Sequence, residues 1–276
     1  MRQSEIPLGG EDQSAQPAAP DAPRVIYEQP LNERMRTFLR LEFLFVRIRQ
    51  HLVRNGEWDC RAVMSSLLEI LTVVSRGDLK SEVLKEMERQ RALLRSLLEV
   101  EGVDARKLAN VLDRLDQIHA RMREERGQLA AALRDDEFIS AIRHRSAIPG
   151  GTCRFDLPGF HHWLSRTPER RAADLEGWLA HLEPLREALA LTLTMVRESD
   201  VPQRQAAVGG SYQRDMDPAN PFQLVRLELP RDAGYYPEIS GSKHRFTVRF
   251  LDGVTREGRA EQVREDVAFW LTLCRL

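Results

Sequence analysis

Between Leu31 and Arg145 the apolar residues recur every three or four positions, and beyond Ser199 they recur every two. No other property of the chain restricts its fold as tightly, because a helical stripe cannot serve as a strand face. The segment LNERMRTFLRLEFLFVRIRQHLV sets Leu31, Met35, Phe38, Leu39, Phe45, Val46, Ile48 and Leu52 on one broad face, with Asn32 as N-cap. A second helix near Arg61 to Ser75 carries Val63, Leu67, Leu68, Leu71 and Val74, and Gly77 stands where a left-handed residue can end it. Asp78 is placed to cap a third helix, through Val83, Leu84, Met87, Leu94, Leu97 and Leu98. Further stripes run from Ala105 to Arg126 and from Asp136 to Arg145. TPERRAADLEGWLAHLEPLREALALTLTMVRES is helical again, with Thr167 as N-cap, Pro168 at the first position and Pro184 marking a kink or a fresh start.

Strand-like text surrounds this helical block. RVIYE precedes it, IPGGTCRFDLP interrupts it with a turn and a short strand, and SYQR, QLVRLELP, HRFTVRF and QVREDVAFWLTLCR follow it. The expected class is α+β: a large α-helical domain plus a β-sheet domain fed by strands from the N-terminus, the middle and the C-terminal part of the chain. The expected boundaries are a disordered extension over 1–23, a strand over 24–29, helices over 30–147, a strand over 148–157, helices again over 158–199, and the β-domain over 200–276.

Composition narrows the chemistry. The 276 residues carry 41 basic and 42 acidic side chains, a net charge of −1, so no global field points to nucleic acid. Cys60, Cys153 and Cys274 are odd in number and far apart, which fits a reducing cytoplasm better than a disulfide framework. No apolar run approaches the roughly 20 residues of a bilayer span, and the N-terminus has no signal-peptide core, so no membrane insertion is expected. The phosphate-loop, zinc-protease, serine-hydrolase and dinucleotide templates are absent. Cys153, Asp156, His161 and His162 combine metal-binding and nucleophilic residue types, but adjacent histidines point to different sides of an element and Cys153 has no second ligand pair. They read as packing and capping residues. No catalytic residue, metal or cofactor is expected, and the chain is not expected to be an enzyme.

Two basic features remain. Arg36, Arg40, Arg47 and Arg54 lie within about 40° of one another on the first helix, with Glu33 at the near end. That stripe suits an acidic partner, a second subunit or internal ion pairs, and it carries the alternative reading of a nucleic-acid-binding regulator. The stretch EISGSKHRFTVRF reads as a strand with two characters. Counting by twos puts Lys243, Arg245, Thr247 and Arg249 on one side, and His244, Phe246, Val248 and Phe250 on the other. The first side shows three cations within seven residues and no carboxylate in register along the strand. It reads as an anion-binding row rather than a solvated face, and its aromatic residues face away from the cations, unlike a base-stacking platform.

YEQPLNERMRTFLRLEFLF, SRGDLKSEVLKEMERQ, IPGG followed by C-R-FDLP and WL, and YPEISGSKHRFTVRF together resemble the ZapD family of cell division proteins, in the family's order, from about Val25 to the C-terminus. The resemblance implies a non-enzymatic, cytoplasmic homodimer at the midcell Z-ring. Such proteins bind the C-terminal tail of FtsZ and cross-link its filaments into bundles. It also implies that Arg76 in SRGDL, with Arg245 and Arg249 in SKHRFTVRF, holds that tail; Lys243 joins them by spacing alone. Arg36, Arg40 and His161 match family positions associated with the dimer or its surroundings. Glu137 stands where some relatives carry a basic residue.

Overall fold

The computed structural model describes residues 23–75, 78–124, 129–217, 219, 221–242, 244–253, 258 and 260–275, and for Glu99 its backbone. The extension expected over 1–23 falls, but for Pro23, outside the described residues, as do Arg76, Gly77 and Lys243. Among the described residues the chain runs β1 (Arg24–Pro30), α1 (Glu33–Leu52), α2 (Glu57–Ser75), α3 (Leu79–Ser96), α4 (Ala105–Glu124), α5 (Ala131–Asp135) and α6 (Glu137–Ser146). Then come α7 (Pro158–Leu164), α8 (Pro168–Ala180), α9 (Glu183–Arg197), β2 (Gln203–Ala207), β3 (Ser211–Asp215) and β4 (Leu224–Pro230). β5 (Tyr235–Gly241), β6 (Arg245–Asp252), β7 (Glu261–Gln262) and β8 (Val267–Cys274) complete the order. The α+β class holds.

Local chemistry explains most helix boundaries. The Asn32 side chain accepts from Met35 N at 2.9 Å, and Asp136 does the same for Ile139 N. Asp78 and Thr167 stand at cap positions but make no capping side-chain bond. Pro184 marks a fresh start, since α8 has already ended at Ala180. The buried face of α1 is wider than its stripe suggests: Leu41 and Leu44 are buried beside Met35, Phe38, Phe45 and Ile48. The helix packs against both α2 and α9, so two of its sides are covered.

The segment 148–157 is not a strand. Gly151 N donates to Ile148 O, Cys153 N to Gly150 O and Leu157 N to Cys153 O, so its backbone groups are spent in successive turns. Those turns lie against the helices, where Arg61 Nη1 donates to Thr152 O at 3.1 Å. Phe155 is 86% exposed. β2 and β3 lie within the stretch 200–276 expected to form the β-domain.

All strand pairs are antiparallel among the described residues. One sheet has the order β1-β4-β8-β2, and the second has β3-β6-β5 with β7 paired to β6. Their inner faces share a core of Val225, Leu227, Leu229, Phe246, Val248, Phe250, Val267, Phe269, Leu271 and Leu273. A separate helical core takes in Leu224 and Cys274 from the first sheet. Polar side chains lock the two cores together. Arg197, near the end of α9, donates to Glu28 on β1 and Glu42 on α1, and Arg226 on β4 donates to Glu28 at 2.9 Å. The bonds to Glu42 first, and to Glu28 second, hold the Arg197 guanidinium well above its ordinary pKa. At the start of α1, the fully buried Glu86 meets Arg34 at 2.8 Å and accepts from Gln223 at 3.2 Å.

Candidate anion-binding face of the second sheet

EISGSKHRFTVRF is not one strand but a hairpin. β5 ends at Gly241 and β6 starts at Arg245, with Ser242 N donating to Arg245 O at 2.9 Å across the bend. His244 is therefore in the turn and exposed, instead of on the core face. The alternation holds from Arg245 onward: Phe246, Val248 and Phe250 are fully buried, while Arg245 and Arg249 are exposed and Thr247 lies between them. Three buried residues of one parity leave the arginines no choice of side.

The register supplies what a single strand could not. Asp215 is the partner of Arg245 on β3, and Glu238 is the partner of Arg249 on β5. Arg245 Nε donates to Asp215 Oδ1 at 2.7 Å, and Arg249 Nη1 lies 3.7 Å from Glu238 Oε2. The row thus has carboxylates in register, contrary to the reading of β6 alone. The two acids stand on opposite flanks, Asp215 at one end and Glu238 at the other. Between them, Thr247 is flanked by Gln213 on β3 and Ser240 on β5. Arg249 has a further, neutral anchor: its Nε donates to Gln262 Oε1 at 3.3 Å, and Gln262 Nε2 donates to Gly209 O at 3.0 Å.

These pairs stand in water. The side chains of Arg245 and Asp215 are 57% and 73% exposed, and those of Arg249 and Glu238 are 54% and 61% exposed. Such pairs contribute only ~0.2–1 kcal/mol each, so an incoming carboxylate can replace the resident one at small cost. Arg245 and Arg249 lie four residues apart on one strand face, roughly 13 Å along the sheet. An extended acidic peptide laid along β6 can reach both, with the polar side chains between them as additional hydrogen-bonding groups.

Other expected residues lie elsewhere. Arg36 is paired to Glu33 at 3.1 Å, and with the exposed Arg40 it lines a groove of ≈ 540 Å³ beside Leu39, Phe43 and Val73. Arg47 of the same stripe donates to Ser66 Oγ at 2.6 Å and to Glu69 across on α2. His161 lies on α7, its Nδ1 buried without a hydrogen-bond partner among the described residues. Arg76 follows directly on Ser75, the last residue of α2. Arg76 itself lies outside the described residues. Cys153 Sγ donates to Asp156 Oδ2 at 3.2 Å, and burial pushes the Cys274 thiol up to about 12.

Asp215, Glu238 and Gln262 escaped the sequence reading. One signal was present: the Gly-Ser-rich SGS stretch marks a hairpin turn, and folding there places Glu238 opposite Arg249.

Fold and face together define a two-core α+β protein whose second sheet carries exposed arginines paired to exposed carboxylates. The family model for the cell division protein ZapD matches residues 39–249. "Cell division protein ZapD" of Methylococcus capsulatus is 44% identical over 253 residues, which are 92% of this chain and 99% of that protein. The proteins of the same description from Aromatoleum aromaticum and Dechloromonas aromatica are 40% and 37% identical, over 92% and 91% of this chain and 98% and 100% of theirs. The chain belongs to the ZapD family of cell division proteins. No helix among the described residues is long and apolar enough to cross a membrane.

Proposed function

We propose that the protein binds the C-terminal tail of FtsZ on the exposed face of β6 and, as a homodimer, cross-links FtsZ filaments at the cytoplasmic, midcell Z-ring. The observation that carries this reading is the pair Arg245 and Arg249, held outward by three buried residues and paired with exposed carboxylates. Charge-assisted bonds from planar guanidinium groups to tail carboxylates supply the contact. A two-fold dimer carries two equivalent sites, so one molecule holds two filaments, and many weak sites along a filament add avidity. The family membership supports a division role, and Arg76 is a third tail contact in this reading.

The test is co-sedimentation with FtsZ filaments. Arg245→Glu and Arg249→Glu are expected to lower tail affinity at least ~10-fold, because each both removes a pair and adds a like charge, with the circular dichroism spectrum and Tm unchanged. Deleting the FtsZ tail is expected to have the same effect. Full bundling by the charge-reversed variants sinks the proposal.

A further inference from the structure

We infer that Asp215 and Glu238 are resident competitors of the acidic ligand, setting its affinity by occupying Arg245 and Arg249 in the unliganded protein. This rests on the reading of the β6 face as the tail site. Each acid is the direct cross-strand partner of one arginine, and no other carboxylate is paired with either among the described residues. Both acids are more exposed than the arginine they face, so they can swing away without opening the sheet. Neither is needed to orient the row, because Phe246, Val248 and Phe250 already fix the strand. A peptide carboxylate therefore exchanges with a side-chain carboxylate instead of binding a bare cation. A ligand that offers one carboxylate gains little from such an exchange. One that offers several along an extended segment gains twice and releases both flanks.

The two arginines are not held alike. Arg245 is bonded to its acid at 2.7 Å, whereas Arg249 keeps a neutral anchor on Gln262 and only a loose ion pair at 3.7 Å. Asp215 is thus the stronger competitor. Glu238 repels an incoming anion more than it holds Arg249. Gln262 is a positioning residue that keeps Arg249 on the face without competing for its charge.

The experiment titrates the full chain with a synthetic FtsZ C-terminal tail peptide at fixed ionic strength. Asp215→Asn is expected to tighten binding about two- to five-fold, Glu238→Gln by less, and the double variant by about the product. Glu124→Gln, a carboxylate lost from the helical half, is expected to change nothing. Unchanged or weaker binding by Asp215→Asn, while Arg245→Glu still abolishes it, overturns the competitor role and leaves the site standing. An equal gain from Glu124→Gln also overturns it, since net charge would then be the cause. Indifference of binding to Arg245→Glu and Arg249→Glu overturns the site itself.

Discussion

Two sets of arginine–carboxylate pairs in this molecule use the same chemistry to opposite ends. At the junction of the two cores, Glu86 is fully buried and meets Arg34, Arg89, Gln90 and Gln223, drawn from α1, α3 and the residue just before β4. On the second sheet, Arg245 and Arg249 each face one acid with more than half of each side chain in water. Burial removes water as a replacement partner, so the first set fastens one core to the other and losing one member strands the rest. Exposure leaves water and ligands as alternatives, so the second set is worth little to folding and is free to exchange.

The comparison can be broken at several points. The largest effect is expected at the junction: Glu86→Ala should cost about 3 kcal/mol, lowering Tm by roughly 10 °C while tail affinity of the folded protein stays unchanged. A Tm within 2 °C of the parent, measured by calorimetry, would place the fastening elsewhere. Arg197→Ala is expected to cost somewhat less, about 2 kcal/mol, because Arg226 still satisfies Glu28 while Glu42 loses its bond from Arg197.

Salt separates the two sets by a different route. Raising it from ~50 to 300 mM is expected to weaken tail binding several-fold while moving Tm by only ~1–2 °C, since exposed pairs are screened and buried ones are not. Binding indifferent to salt would argue for an apolar groove instead. The smallest effect lies on a half-exposed helical pair. Arg186 donates to Glu183 and holds its carboxyl below the usual glutamate range. A lowered carboxylate stabilises above its unfolded pKa and stops doing so as pH falls through the folded one. Glu183→Gln should therefore cost no more than ~0.5 kcal/mol at pH 7 and nothing once acid has protonated the carboxyl in both states, which denaturant titration at the two pH values would show.

Much of the fold was legible because it depends on local periodicity. The stripes of α1 to α4, the cap at Asn32, and the new start at Pro184 each follow from residues within a turn or two of one another. The segment 148–157 misled because Cys153, Phe155 and Leu157 alternate as a short strand would, yet its backbone closes on itself in successive turns. The site was legible in half. Period-two counting placed Arg245 and Arg249 opposite Phe246 and Phe250, and their surroundings confirm that division of faces. The same counting carried the strand too far, to His244, which the bend exposes.

The sequence by itself determined which residues turn outward, because side-chain alternation along a strand is a property of the strand alone. Only the tertiary structure decided what those residues meet. Asp215 lies 30 positions from Arg245, Gln262 lies 13 from Arg249, and Glu28 lies 169 from Arg197. Contacts at such separations are created by strand register and by the packing of two cores. Those depend on the sum of many weak burial terms along the chain, so no short stretch of residues contains them.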